Sequence, residues 1–321
     1  MRPINILVGS DIHAVNGDSR LQEALSLVSK ELGGERLDTI LLGGDYVGMT
    51  GERMRKSLRI IPGVPIERSM SAEQLQQWQP VFDVSDVRME MEAALGYRTR
   101  SFFTYGSHDK NALHGANAFF SGPASLGPCY LYGISFGQMR FASTQQMTEA
   151  GYEDPDAPLG GADRGAETFL RWIDSLANHK PILIMSHIPL HASRPGNKGA
   201  SIWADAFHKA AESHDLFVLF GHNHTAEQRI NTERCYYLVP HGQTISIRDE
   251  TGAVKEDPLD YTYLNAGYIV SGCVTLLTLT GKDRYDTVII RRLSQQKEQQ
   301  AFGATGFSSP YSVSLRWPVE L

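Results

Sequence analysis

The chain has 321 residues, 41% of them hydrophobic and 21% charged, enough to bury one large core or two modest ones, and a single domain with insertions is the reading adopted. A net charge of -6 gives no broad electrostatic footprint for nucleic acid or anionic lipid. Cys129, Cys235 and Cys273 form no close pair and no CxxC, which argues against a disulfide framework or zinc knuckle; no apolar stretch approaches a spanning helix, and the start turns polar at once, unlike a signal peptide, so a cytoplasmic protein is expected.

Residues 4–8 predict a first strand, followed by a loop carrying Asp11 and His13. Leu21, Ala24, Leu25, Val28 and Leu32 recur at helical spacing behind Ser19 as N-cap, with Gly33-Gly34 as the stop. Residues 39–42 form the next strand and deliver Asp45, giving a β-loop-α-β unit that starts a layered α/β fold. From 48 to 100 the chain is polar and Met-rich, is interrupted by Pro62, Pro65 and Pro80, and closes on a helix over 86–95. Its length predicts an insertion beside the site, a candidate substrate-facing cap.

Residues 101–105 resume the sheet, and 130–134 with 138–143 predict a hairpin around Phe136-Gly137. An acidic Gly, Pro and Asp-rich surface loop over 149–165 precedes a helix with Phe169, Trp172, Ile173 and Leu176 along one apolar stripe. Residues 181–185 and 216–220 are strongly apolar strands, with a helix around 203–211 between them. Beyond His224 the pattern is mostly β, over 236–239, 244–247, 274–280 and 287–291. The pattern predicts a domain over 1–293, with the insertion at about 48–100, and a tail over 294–321 of unassigned role.

Several apolar runs end in metal-type ligands: Ser10-Asp11-Ile12-His13, Gly43-Gly44-Asp45, Gly106-Ser107-His108-Asp109, Gly221-His222-Asn223-His224, and His187 after residues 181–186. Hard oxygens and imidazoles in this set suit two adjacent divalent ions. Asp11 with His13, and His222 with His224, are two apart, so in extended chain each pair points one way. Gly43-Gly44 lets the backbone turn tightly ahead of Asp45.

In this order the motifs resemble the calcineurin-like metallophosphoesterases, from Asp11 to His224 and more loosely to Arg292. The resemblance implies a four-layer α/β/β/α sandwich of two mixed β-sheets flanked by helices. It also implies hydrolysis of a small phosphomonoester or phosphodiester at a dinuclear centre of two divalent ions (Mn, Fe, Zn, Ni or Mg), with a metal-bridging hydroxide as nucleophile. On this chain Asp45 would be the shared carboxylate, Asp11, His13 and His224 would complete the first site, and His187 and His222 would hold the second ion. His108 would assist the leaving group, with Asp109 fixing its tautomer.

Ser107 departs from the pattern, because the family usually has an asparagine ligand there. Its hydroxyl reaches about one bond, ~1.2 Å, less far, so the second site would be weaker, or water or Asn111 would fill the gap. Tyr46 is not at the position of the purple acid phosphatase tyrosine ligand; that position is Gly48. His191 and Arg194 are the candidate substrate contacts, with Asn197 and Lys198 in the same loop. The competing reading is a metal-binding interaction module on the same scaffold with weak or no catalysis, favoured by Ser107 and opposed by retention of His108.

Overall fold

The computed structural model describes residues 1–13, 20–46, 84–107, 109, 120–150, 160–191, 197–222, 238–249, 251–294 and 309–320. In chain order these give β1 (Ile4–Gly9), α1 (Leu21–Leu32), β2 (Thr39–Leu42), α2 (Val84–Leu95), β3 (Arg100–Phe103), β4 (Gly122–Ser125), β5 (Tyr130–Ile134), α3 (Phe136–Arg140), α4 (Thr144–Glu149) and α5 (Ala162–Ser175). Then follow β6 (Ile182–Ser186), α6 (Ala200–Ala211), β7 (Leu216–Phe220), β8 (Leu238–Val239), β9 (Thr244–Arg248), β10 (Val254–Pro258), β11 (Thr262–Asn265), β12 (Cys273–Thr280), β13 (Tyr285–Ser294) and β14 (Tyr311–Val319).

The strands form two six-stranded mixed sheets, ordered β14-β13-β12-β1-β2-β3 and β4-β5-β6-β7-β11-β8, beside a small β9-β10 pair. Strands β1, β2 and β3 run parallel in the first sheet; β5, β6, β7 and β11 run parallel in the second. Alternation along the buried strands explains the stacking. Ile6 and Val8 of β1, Leu183 and Met185 of β6, and Phe217 and Leu219 of β7 meet in one core between the sheets. Leu7 turns the other way, onto Leu25 and Val28 of α1 and Val87 and Met91 of α2. Ile184 and Val218 likewise face Phe169 of α5 and Trp203 and Phe207 of α6. Strands buried on both faces read as continuous apolar runs, as these do. The result is the expected four layers, helices outside and two sheets within.

Helix α1 follows its sequence signal: Leu21, Ala24, Leu25 and Val28 are buried, and Gly33 closes it at φ 58°. Ser19, the expected N-cap, lies outside the described residues. Helix α2 packs on α1 in the outer layer of the first sheet; the rest of the expected insertion, 48–83, lies outside the described residues.

One expected element is overturned. Residues 136–140 are a helix and not the second arm of a hairpin, because Ser135 Oγ accepts from Gln138 N while the Gln138 side chain accepts from Ser135 N. That reciprocal capping box nucleates a helical turn where Phe136-Gly137 had suggested a β-turn; strand β5 instead pairs antiparallel with β4. The stretch without an assigned role also gains a structure, since β14 extends the first sheet by pairing with β13. Among the described residues, no helix is long and apolar enough to cross a membrane.

Candidate metal centre

Five parallel strands, three from one sheet and two from the other, deliver their exits to one place, the C-terminal edge where ligand sites of α/β folds collect. Strand β1 leads to Asp11 and His13, β2 to Asp45, β3 to Ser107 and Asp109, β6 to His187, and β7 to His222. Two groups of ligand atoms converge there, each with all members within 4.8 Å of one another: Asp11, His13 and Asp45, and Asp45, His187 and His222. Asp45 belongs to both. Asp11, Asp45 and His187 are at most 1% exposed and His13 is 5% exposed, whereas His222 is half-buried.

The exits hold one another through the backbone. Asp11 N donates to Gly44 O at 3.0 Å, His13 N to Asp45 O at 3.0 Å, and Gly221 N to His187 O at 3.1 Å. His222 N donates to Asp11 Oδ2 at 2.8 Å. Gly44 sits at φ 89°, and a Cβ there would lie 2.5 Å from Gly106 Cα and 2.6 Å from Gly106 N, so the β2 and β3 exits touch main chain to main chain. At Gly221 an added Cβ would strike Ser10 Oγ and lie 2.8 Å from Asp11 Oδ2, which ties the β7 exit to the β1 exit across the two sheets.

The donor set fits divalent cations. His187 Nδ1 lies 2.7 Å from Gly43 O, which can only accept, so Nδ1 carries a hydrogen and Nε2 is turned to Asp45 Oδ2, 3.2 Å away. His222 Nδ1 is 3.2 Å from the same Nε2, and His13 Nε2 stands 3.6 Å from Asp11 Oδ1 and 3.9 Å from Asp45 Oδ2. Imidazole nitrogens and carboxylate oxygens this close in a buried pocket require a shared positive charge, which a proton or a metal ion can supply. The proton affinities say the same. Burial alone would lower His187, but the Asp45 and Asp11 carboxylates outweigh it and hold the ring up at about 9. His13 is likewise shifted upward against its burial by Asp11 and Asp45. A pocket whose carboxylates draw a proton onto a buried imidazole would attract another cation as well, and the backbone bond at His187 Nδ1 holds that ring in one orientation.

Ser107 Oγ lies 3.3 and 3.2 Å from the two Asp45 oxygens, so this hydroxyl donates to the shared carboxylate. The Tyr46 hydroxyl shares its hydrogen between Leu42 O and Thr104 O, each at 2.8 Å, and accepts from Gly44 N at 3.2 Å; burial raises its pKa well above the ordinary range. Asp109 has a partner set that sequence did not reveal. Its Oδ2 accepts from Asp45 N at 2.9 Å and Gly106 N at 2.7 Å, and its Oδ1 accepts from Tyr46 N at 2.8 Å. Burial and the Asp45 charge push its pKa up, the backbone donors pull it back, and the balance is about 7. The expected pairing with His108 involves a residue outside the described ones, as do His224, Asn111 and Arg194.

His191, expected to face substrate, is instead 1% exposed. Its Nδ1 is 2.8 Å from the Tyr263 hydroxyl, its ring lies edge-on to Phe220 with centroids 5.3 Å apart, and burial pushes its pKa down to about 3. That geometry packs the loop after β6. Asn197 Nδ2 is buried too, donating to Pro189 O at 2.8 Å, whereas Lys198 is exposed.

The family model for calcineurin-like phosphoesterases matches residues 4–226, more than half of the chain. The chain belongs to the calcineurin-like phosphoesterases. A comparison with curated proteins gave no match. Among solved structures, similar folds include GAP50, the anchor in the inner membrane complex of Plasmodium, at 9% identity and TM-score 0.48, covering 100% of this chain and 90% of that one. A putative 5'-nucleotidase from Staphylococcus aureus in complex with alpha-ketoglutarate is 12% identical at TM-score 0.38, and the match covers 100% of this chain and 55% of the nucleotidase. Calcineurin-like phosphoesterase YfkN from Bacillus subtilis is 12% identical at TM-score 0.41, over 97% of this chain and 89% of that one. Likenesses this distant carry nothing about substrate; the family membership rests on the match over residues 4–226 and the site stands on its own geometry.

Proposed function

We propose that the chain hydrolyses a phosphomonoester or phosphodiester at a dinuclear metal centre. The observation that supports this is the pair of ligand groups sharing Asp45, each with its atoms within 4.8 Å of one another. Asp11 and His13 would hold one ion, with His224 from the sequence pattern, and His187 and His222 the other. When bound, two divalent ions supply Lewis-acid charge for the phosphoryl oxygens and make water a nucleophile at neutral pH.

The chain's own residues set the geometry. Asp45 faces both groups, so one carboxylate would fix the spacing of the ions. The Gly43 carbonyl holds His187 in the tautomer whose Nε2 is a ligand. Ser107 Oγ orients Asp45 by donating to its carboxylate, and Asp109 fixes the Asp45 and Tyr46 backbone. His108, by its place in the motif, would give a proton or hydrogen bond to the departing oxygen. The expected insertion at about 48–100 belongs to the same proposal, within a domain that β14 carries past the expected end at 293.

The test is to strip the protein of metal, titrate it with Mn²⁺ while counting ions, and follow hydrolysis of p-nitrophenyl phosphate and bis-p-nitrophenyl phosphate. Two ions per chain with turnover of either ester is the expected result, and Asp45→Asn should weaken both binding steps. Two ions with no turnover of either ester would identify the metal-binding module instead, and no bound ion would overturn both readings.

A further inference from the structure

The protein carries a net charge of -6, yet at the edge of its first sheet the charge is locally reversed. Strand β3 ends the order of that sheet among the described residues, and between it and α2 lies a half-open groove of about 350 Å³. Its walls hold three guanidinium groups, Arg88, Arg98 and Arg100, and one carboxylate, Glu92. None of the lining residues belongs to the two ligand groups at the strand exits.

Two of the arginines are held by aromatic rings. The Arg88 guanidinium lies 5.0 Å from the centre of the Phe103 ring and that of Arg100 lies 5.5 Å from the centre of Phe102. A guanidinium resting on a ring has lost part of its rotational freedom while its N–H groups remain available around its rim. Arg98 is exposed and pairs with Glu92, its Nε 3.0 Å from Glu92 Oε1. Phosphate, sulfate and carboxylate each match the fork of N–H donors that an arginine presents. Met91 and Phe102 add apolar wall between the charges, and the volume falls at the lower end of the roughly 300–1,000 Å³ typical of small-molecule sites.

We propose that this groove binds a small organic polyanion, a compact molecule carrying two or three phosphate, sulfate or carboxylate groups, with Arg88 and Arg100 as the principal contacts. The site is separate from the metal centre and does not depend on phosphoesterase activity.

The probe is benzenetrisulfonate, which carries three anionic groups on an apolar ring and no phosphoester bond to cleave. It is titrated into the full chain by calorimetry, and amide shifts are followed in the labelled protein; inorganic sulfate at the same concentrations forms the second arm. Saturable binding with shifts at Ser101 and Phe102 is expected, weakened at least about ten-fold in Arg88→Ala/Arg100→Ala, since both principal charge-assisted contacts are removed. Glu92→Gln should tighten binding by about two- to five-fold, by releasing Arg98 and removing the opposing charge. That second variant moves the affinity in the direction that misfolding cannot produce. Benzenetrisulfonate binding well above sulfate confirms an organic polyanion, whereas equal affinities reassign the groove to free oxyanion and overturn the proposal as stated. No binding by the parent, unchanged affinity in the double arginine variant, or shifts confined to Gly43–Asp45 would overturn it outright.

Discussion

Replacing Gly44 by alanine tests whether the metal centre depends on main-chain contact between the β2 and β3 exits. Two effects act together. Alanine at φ 89° is strained, by about 1–2 kcal/mol for an L-residue in the left-handed region, and its Cβ would lie 2.5 Å from Gly106 Cα, where ordinary contact begins at 3.4 Å. The obstructing atoms are backbone, so no rotamer relieves the clash. The exits must separate by nearly an ångström, which would stretch the 2.9 Å bond from Asp45 N to Asp109 Oδ2 beyond hydrogen-bonding range. Overpacking adds about 1–3 kcal/mol to the strain, and displacing Asp45 by that distance should weaken metal binding by roughly 10–100-fold, as loss of ligand support does.

Gly252 provides the control. Its φ is 88°, nearly the same, but nothing lies within 4 Å of an added Cβ. Gly252→Ala should therefore show the conformational cost alone and keep parent metal affinity. Urea unfolding of the metal-free proteins and Mn²⁺ calorimetry measure the two quantities. Equal destabilisation in both variants, with unchanged metal affinity in Gly44→Ala, would refute the close-approach argument.

Three further outcomes follow from other parts of the molecule. His191 is held near pKa 3 by burial against about 6.5 when unfolded; the unfolded chain therefore binds the extra proton, and metal-free stability should fall by about 1.4 kcal/mol per pH unit below 6.5 from this group. His191→Gln should lose that part of the acid slope between pH 6.5 and 5, and identical slopes would count against a buried neutral imidazole. Ser107→Asn should tighten the weaker of two Mn²⁺ binding steps if the longer amide reaches the second ion; unchanged affinities for both steps would mean that the hydroxyl at Asp45 is already adequate. Arg316→Ala should destabilise the fold by about 1.5–3 kcal/mol in urea unfolding, because Arg316 Nε bonds Asp215 Oδ1 at 2.9 Å and its NH2 group caps Ala211 O and His214 O at 2.9 and 2.7 Å. Parent-like stability there would show that β14 is not anchored through this residue.

The inner parallel strands were legible because burial on both faces leaves no polar residue in runs such as Leu216–Phe220, and the ligands stood at the ends of those runs. Strand β11 carried no such signal: Thr262–Asn265 mixes Thr, Tyr and Asn, yet all four residues are buried between β7 and β8. Only its neighbours make it a strand. Strand β14 did carry one, since Tyr311, Val313 and Leu315 alternate toward the inter-sheet core, but a proline near its end obscured a pattern compatible with an edge position. The helix at Phe136–Arg140 was misread because a Phe-Gly pair outweighed the Ser135-to-Gln138 capping signature. The long-range partners of Asp109 were not legible from its neighbours: beside Gly106 N, its oxygens accept from N–H groups 63 and 64 residues away, and no local pattern encodes a contact at that separation.

The backbone strain is concentrated where the candidate ligands are. Five described residues other than glycine have positive φ, and four of them are Asp11 at 55°, His13 at 45°, Asp45 at 55° and His222 at 68°. Asp and His tolerate this region better than most residues, but each still costs of order 1–3 kcal/mol and persists only where the surroundings over-determine it. The cross-bonds do so here: Asp11 N to Gly44 O, His13 N to Asp45 O, His222 N to Asp11 Oδ2, Asp45 N to Asp109 Oδ2. Every one of them joins two different strand exits, so no ligand-bearing loop is held in its strained form by itself. Glycine would relieve the strain at all four positions and supply no ligand. The fold therefore bears a conformational cost at the positions whose side chains it brings together, and the inter-sheet core that anchors β1, β2, β6 and β7 holds those side chains in register.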